Sequence, residues 1–359
     1  MPPLRFLGVS FRLSLAILHT PAHILLIWSA ILRPGQPHLS RQILTMDAAG
    51  TVATQQKGQG MVYAAMALGV LAVSSSSILI TNLERGGVEP LVIAFYRMLI
   101  ATLLLALPAL KFKREEIKRL SRTDSLLLIV SGLFLALHFG SWISSLKYIP
   151  ISSSVLLVAS HPLFVVIASA LFLSETPTAR IIAGTILGLA GTGLILGEGF
   201  AGLSKALWGD LLALIGALST VVYLLIGRRV RARVSLLAYV VPAYAACSIL
   251  LFGWAVALGN RLTGYTGAEW ACFLGLAIVP TILGHTVLNW AIKHVAASAI
   301  STALLGEPVV ASLLAWLFYA QVPSAYTVVG GSLVLIGIYL VISRRTAGPS
   351  IERELDTSV

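Results

Sequence analysis

Glu307 stands in the apolar stretch LLGEPVV, immediately before Pro308, and His161 stands in SHPLF, immediately before Pro162. A carboxylate at the centre of a bilayer costs on the order of 3 kcal/mol or more, so in such a stretch it must face a polar cavity or a partner. The proline that follows removes a backbone hydrogen bond and opens the helix locally, exposing carbonyls to a ligand. A carboxylate in that position can bind an amine or exchange a proton, or it can staple two helices together. An offset of 146 residues carries 161 onto 307, which pairs a base with an acid at corresponding positions. His138 and Trp142 are four apart, as are His285 and Asn289, so each pair shares one face of a helix. These faces can line a cavity, with the aromatic ring against substrate and the imidazoles and amide orienting it. Interhelical hydrogen bonding and packing is the plainer alternative. The offset does not superpose His138 on His285. Arg97, in FYRML, lies too deep to reach water and calls for a carbonyl or an acid, in a gating or an architectural contact.

The elements that carry these residues follow from composition. The chain is 57% hydrophobic and only 11% charged, with mean hydropathy +0.92, where soluble domains are about 25% charged. Apolar runs of about 20 residues recur along it, the length that a hydrocarbon core about 30 Å thick requires. In lipid such runs must be helices, because exposed backbone groups find no water. A membrane β-barrel would show alternating segments of about ten residues instead. The sequence therefore predicts an all-α membrane protein with ten spans, at 60–80, 90–110, 125–146, 150–173, 179–197, 206–227, 235–258, 267–292, 297–320 and 325–342.

The net charge of +11 sits in short clusters between spans, such as KFKREEIKR at 111–119 and RRVRAR at 228–233. That is a positive-inside pattern and not a nucleic-acid footprint. Fifteen Lys and Arg fall on one side of the ten-span scheme and four on the other, which predicts that both ends of the ten-helix unit, with the tail 344–359, are cytoplasmic. Residues 1–57 form an N-terminal extension. Its apolar stretch 13–32 contains His19, Pro21 and His23, and three readings stay open: an extra helix, a leader, or residues upstream of a start at Met46. Cys247 and Cys272 lie in apolar runs without metal-ligand or redox spacing. No metal site and no cofactor are expected.

The 146-residue offset aligns 147–196 with 293–342 without a gap, pairing Lys147 with Lys293, Pro162 with Pro308, Pro177 with Pro323, Gly184 with Gly330 and Gly191 with Gly337. Five spans per copy is an odd number, so the second copy enters the membrane upside down, giving repeats over 58–200 and 201–343. Inverted repeats supply two conformations of similar energy, one open to each side, with the binding site where the halves meet. The glycines Gly184, Gly188, Gly330 and Gly331 read as close-packing surfaces, and Ser74 to Ser77 as backbone-bonded serines.

The stretches PLVIAFYRMLIATLLLAL (90–107), SHPLFVVIASALFLSETPTARIIAGTILGLAGTGLIL (160–196) and LLGEPVVASLLAWLFYAQVPSAYTVVGGSLVLIGIYLV (304–341) resemble the EamA-type members of the drug/metabolite transporter superfamily. The resemblance covers roughly 60–342. It implies a ten-helix plasma-membrane carrier, often an exporter of amino acids or other small metabolites, with a small-molecule substrate. Gln321 departs from the pattern, standing where an acidic residue is common. No GxxxxGK[ST] loop occurs, which points to a proton or substrate gradient as driving force. The alternatives are a membrane-embedded lipid-acting enzyme, a channel, or a scaffold without transport. The enzyme would need clustered acids or an HExxH-like pair, and the acids expected to be exposed, Glu84, Glu89, Glu115, Glu116 and Asp210, are scattered.

Overall fold

A computed structural model describes residues 48–164, 167, 178–200, 205–291, 304 and 306–342, and among them all regular structure is helical. The elements are α1 (Ala48–Ser74), α2 (Ser76–Arg85), α3 (Pro90–Phe112), α4 (Arg114–Lys118), α5 (Arg122–Ser145), α6 (Ile151–Ala159), α7 (Ala179–Phe200), α8 (Lys205–Arg231), α9 (Leu236–Ala257), α10 (Gly267–Leu276), a π-helical segment (Ala277–Thr286), α11 (Val287–Ala291), α12 (Gly306–Tyr319) and α13 (Ala325–Ile342). Six described stretches are long and apolar enough to cross a bilayer: Met61–Arg85, Pro90–Phe112, Arg122–Ser145, Lys205–Arg231, Leu236–Ala257 and Gly267–Ala291. Four shorter apolar helices accompany them, at Ile151–Phe164, Ala179–Ile195, Gly306–Tyr319 and Ala325–Leu340. Residues 1–47, the end of the fourth expected span, the start of the ninth and the tail lie outside the described residues.

Local chemistry sets the helix boundaries. Pro90 opens α3 at the first helical position, where its missing N–H is not needed. Ser121 caps α5 by accepting from the Asp124 amide at 3.0 Å. Thr266 and Glu269 form a capping box at the start of α10. The serine run breaks the first span between α1 and α2. The hydroxyls of Ser74, Ser75 and Ser76 donate to the carbonyls of Val70, Ala72 and Val73, each at 2.8 Å, and such back-bonding bends a helix.

Polar and apolar groups are distributed inside out relative to a soluble protein. Arg97 is 0% exposed whereas Leu107, on the same helix, is 71% exposed. Leu103, Leu110, Ile129 and Ile249 likewise point outward from the bundle. A surface of this kind is stable only against hydrocarbon, so the chain is a multi-pass membrane protein. Asp210 corrects the expectation of an exposed acid: it is only 2% exposed, because the first turns of α8 pack into the bundle. Cys247 is buried and Cys272 half-buried, and both are free thiols.

Among the described residues α7 packs most extensively against α13, and glycine makes it possible. A Cβ at Gly191 would lie 2.5 Å from the Gly330 carbonyl oxygen, and a Cβ at Gly337 would lie 2.6 Å from that of Gly184. The earlier glycine of α7 meets the later glycine of α13, so the two helices run antiparallel. The 146-residue offset turns 184 into 330 and 191 into 337, so each contact is the image of the other, the reciprocity of a two-fold interface. The same exchange recurs elsewhere. Gly216 of α8 packs on His138 and Trp142, while Gly69 of α1, one residue off the image of Gly216, packs on Gly284 and Leu288, which lie 146 residues beyond His138 and Trp142. Likewise α5 packs on α8 and α1 on the π segment, and α3 packs on α9.

At one end of the bundle, connections from the two halves are tied by charge. Arg233 donates through Nε and Nη2 to Oδ1 of Asp124 at the start of α5, and Ser121 donates to Oδ2. The Ser235 amide donates to Glu116 at 2.6 Å, and Lys113 lies 3.3 Å from the same carboxylate. Burial pushes the Glu116 carboxyl up, but the Ser235 and Lys113 contacts outweigh it and hold the group below its ordinary range. At the other end, the Tyr319 hydroxyl lies 2.8 Å from the Ile78 carbonyl oxygen and 2.9 Å from Asn82 Oδ1, with Arg85 4.1 Å over its ring. Gln321 accepts from the Ile151 amide at 3.2 Å, tying the turn before α13 to the first turn of α6.

The glycine seam is directly testable. Gly191→Ala should lower the detergent-solubilised protein's melting stability by about 1–3 kcal/mol through overpacking. Gly193→Ala meets nothing within 4 Å and should leave it unchanged or slightly raised. Equal melting curves for the two variants would contradict the seam.

Candidate functional site: a cavity among the bundle helices

A cavity of about 120 Å³ lies among α5, the α6 segment, α8, the π segment with α11, and α12. Six of the seven residues singled out from sequence line it: His138, Trp142, His161, His285, Asn289 and Glu307. Leu135, Val155, Val158, Leu224 and Leu288 supply apolar wall, and Pro162 follows His161 on it. A mostly apolar concavity with a few convergent polar groups is the usual form of a small-molecule site.

Neighbouring helices fix these side chains. His138 is buried, with Nδ1 2.7 Å from Thr220 Oγ1 and 3.0 Å from the Gly216 carbonyl oxygen. Its ring stacks on Trp142 at 5.9 Å between centroids and 13° between planes, the shared face that four-residue spacing predicts. Asn289 donates to the Tyr223 hydroxyl at 3.3 Å. His161 places Nδ1 3.1 Å from the Val158 carbonyl oxygen. Glu307 lies on α12, immediately before Pro308. Its carbonyl oxygen lies 3.5 Å from Ser74 Oγ, which sets α12 beside α1.

Arg97 departs from the sequence reading in two respects. It sits behind the cavity wall and does not line it, and its Nε donates at 2.8 Å to the hydroxyl of Thr281 where a carbonyl or an acid was expected. Its guanidinium lies 4.2 Å over the Phe139 ring and 5.9 Å from that of Trp142, and Glu307 is within its electrostatic reach. The physical reason is that a π segment presents Thr281 at the right depth. Pro280 lacks an N–H, which loosens the ladder. The hydroxyls of Thr281 and Thr286 then donate five residues back, to Leu276 and Thr281 at 2.9 and 3.1 Å, and wide turns of this kind favour functional sites.

Sequence reasoning missed Thr281, and with it Thr220 and Tyr223 as cavity-lining groups. A proline followed at once by one threonine and five residues later by another was the available signal for the first. For the others it was the spacing of three on α8, which puts both on one face. No group of three or more His, Cys, Asp or Glu able to hold a metal ion occurs among the described residues.

The fold defines a polytopic helical membrane protein with an internal cavity lined by polar side chains from several helices. The chain belongs to the EamA-like transporter family, which matches residues 60–197 and again 207–343. It is 27% identical to the pseudopaline exporter CntI of Pseudomonas aeruginosa, over 71% of this chain and 87% of that one. It is also 27% identical to a probable terminal-alkyne amino-acid exporter of Streptantibioticus cattleyicolor, over 56% of this chain and 67% of that one. An uncharacterized transporter of Archaeoglobus fulgidus is 25% identical over 77% of this chain and 95% of its own length. A solved crystal structure shares the fold with a TM-score of 0.54 and 24% identity, covering 77% of this chain and 98% of the other.

Thr281→Val should destabilise the solubilised protein by about 1.5–3 kcal/mol, because it leaves the buried Arg97 Nε without its acceptor. Thr102 donates only to its own helix, to the Met98 carbonyl at 2.7 Å, so Thr102→Val should cost much less. Comparable losses in thermal melting would remove the special role given to Thr281.

Proposed function

We propose that the protein is a secondary transporter that moves a small metabolite, an amino acid or a related compound, across the plasma membrane by alternating access, in the direction of export. In this reading it acts as a carrier and not as an enzyme. Ten helices form two inverted repeats, over 58–200 and 201–343, with both ends of the unit in the cytoplasm and residues 1–57 as an extension. Glu307 and His161 hold or couple to the substrate, and His138, Trp142, His285 and Asn289 shape its pocket.

One observation carries the proposal: His161 and Glu307, at corresponding positions of the two copies, line the same cavity. A site bounded by the same position in two opposed copies can be exposed to either side by rocking one half against the other. The antiparallel glycine seam and the two separate family matches support the inversion. The names of two relatives, an exporter of pseudopaline and a probable exporter of an amino acid, support the cargo class and the direction.

The test is counterflow in proteoliposomes, with cargo chosen by comparing metabolites inside and outside overexpressing and deletion cells. Saturable exchange that falls at least tenfold, about 1.4 kcal/mol, when Glu307→Gln and His161→Ala are combined is the expected result. Movement that the double variant leaves unchanged would refute the site, and movement without saturation would make the protein a channel.

A further inference from the structure

Buried donors without acceptors are not spread evenly around the cavity. Among the described residues, Nη1 and Nη2 of Arg97, Nε1 of Trp142 and Nε2 of His285 are all buried without a hydrogen-bond partner. The four atoms belong to one aromatic wall. The Arg97 guanidinium stacks on Phe139, Phe139 meets the His285 ring edge to face at 5.7 Å, and it tilts against Trp142 at 6.3 Å. Trp142 is 3% exposed and Arg97 0%, and although the His285 ring is only half-buried, its Nε2 is buried. Native proteins leave few buried polar groups unsatisfied, and each exception calls for a physical account.

A cation buried in a membrane protein needs a counter-charge. No carboxylate lies within 4 Å of Arg97 among the described residues. Two hydroxyl acceptors beside the wall, on Thr281 and Tyr223, are engaged elsewhere. The Thr281 hydroxyl serves Arg97 Nε and bonds its own helix, and Tyr223 takes the Asn289 amide. Glu307 lines the same cavity on a different helix. The cavity thus has an unsatisfied donor wall backed by a fixed positive charge, and it has a carboxylate.

We infer that the wall formed by Trp142 and His285, with Arg97 behind it, is the subsite for a carboxylate carried by the substrate, and that it gives the protein selectivity for free acids over their neutral amides. This inference rests on the carrier reading for its setting. Trp142 Nε1 and, in its Nε2–H tautomer, His285 donate directly to the carboxylate. Arg97 acts through the Phe139 ring as a positioning charge, since Coulombic attraction at a given distance is stronger where the dielectric is low. Glu307 takes the amine of the same molecule. A zwitterion bound this way brings one charge to each group, so the loaded cavity holds balanced charges and the Trp142 and His285 donors are satisfied.

The test uses the full chain, purified in detergent and then in nanodiscs. Each of the common amino acids is compared with its primary amide, which keeps the amine and loses the anion, by the concentration that stabilises the protein against heat. The expected result is at least one amino acid that binds wild type about tenfold or more tightly than its amide, the factor expected for one charge-assisted hydrogen bond. Arg97→Gln should bring that ratio close to one, Arg97→Lys should restore part of it, and Glu307→Gln should weaken acid and amide together. Arg97 also anchors Thr281, so Trp142→Phe, which keeps an aromatic ring and deletes the indole N–H, carries the test if Arg97→Gln does not fold, and it should lower the ratio at least threefold. Amides that bind as well as acids, a ratio that survives both Arg97→Gln and Trp142→Phe, or a panel in which no amino acid stabilises the wild type would overturn the subsite. Counterflow of some other cargo would leave the carrier standing in that event. Acid selectivity in a protein that shows no counterflow would sink the carrier and keep the subsite.

Discussion

A hydrogen-bonding group inside a bilayer must find its partner within the protein, and that constraint orders the rest of this structure. It turns Leu107 outward and Arg97 inward on a single helix. It folds the serine hydroxyls of the first span back onto their own backbone. It also gathers polar side chains into one place, where His138, His161, His285, Asn289 and Glu307 converge. The cavity is where a membrane protein keeps the polarity it cannot hide.

Close packing does the complementary work. Lipid tails are as apolar as leucine, so helices in a bilayer associate by contact and not by escaping water. Gly184, Gly191, Gly330 and Gly337 let α7 and α13 approach to backbone contact in an antiparallel crossing. The same offset that relates those glycines also relates His161 to Glu307. In the proposed inverted-repeat arrangement one symmetry serves two purposes: it builds a self-complementary seam, and it places an acid and a base around a shared cavity. The seam demands identical small residues, whereas the cavity tolerates different ones, and under the proposal this asymmetry allows a substrate to be held at the centre.

The helices were legible in the sequence because apolar length is nearly sufficient to define them. The glycine seam was legible because Gly recurs at a fixed offset in both copies. The convergence of six polar residues was legible for a related reason: each interrupts an apolar run, and few places in the fold can hold such interruptions. The π segment was not, because the widening depends on Pro280 and two threonines acting together, and hydropathy does not register a change of helical pitch. The place of Arg97 behind Phe139 depends on that segment, so its partner was misjudged with it. The burial of Asp210 was missed because it lies near the start of its helix, where burial is decided by the helices packed beside it and not by its own neighbours in sequence.

The account depends most on the two halves lying in opposite senses in the membrane. Arg122, in the first turn of α5, and Ala268, at the start of α10, are exposed and 146 residues apart. The decisive measurement is labelling of a single cysteine at each position with a membrane-impermeant thiol reagent in intact cells, in a background where Cys247 and Cys272 are replaced. Inverted halves predict that Ala268→Cys reacts from outside while Arg122→Cys reacts only after permeabilisation. Reaction of both positions from the same side would contradict the inversion, and with it the alternating-access mechanism.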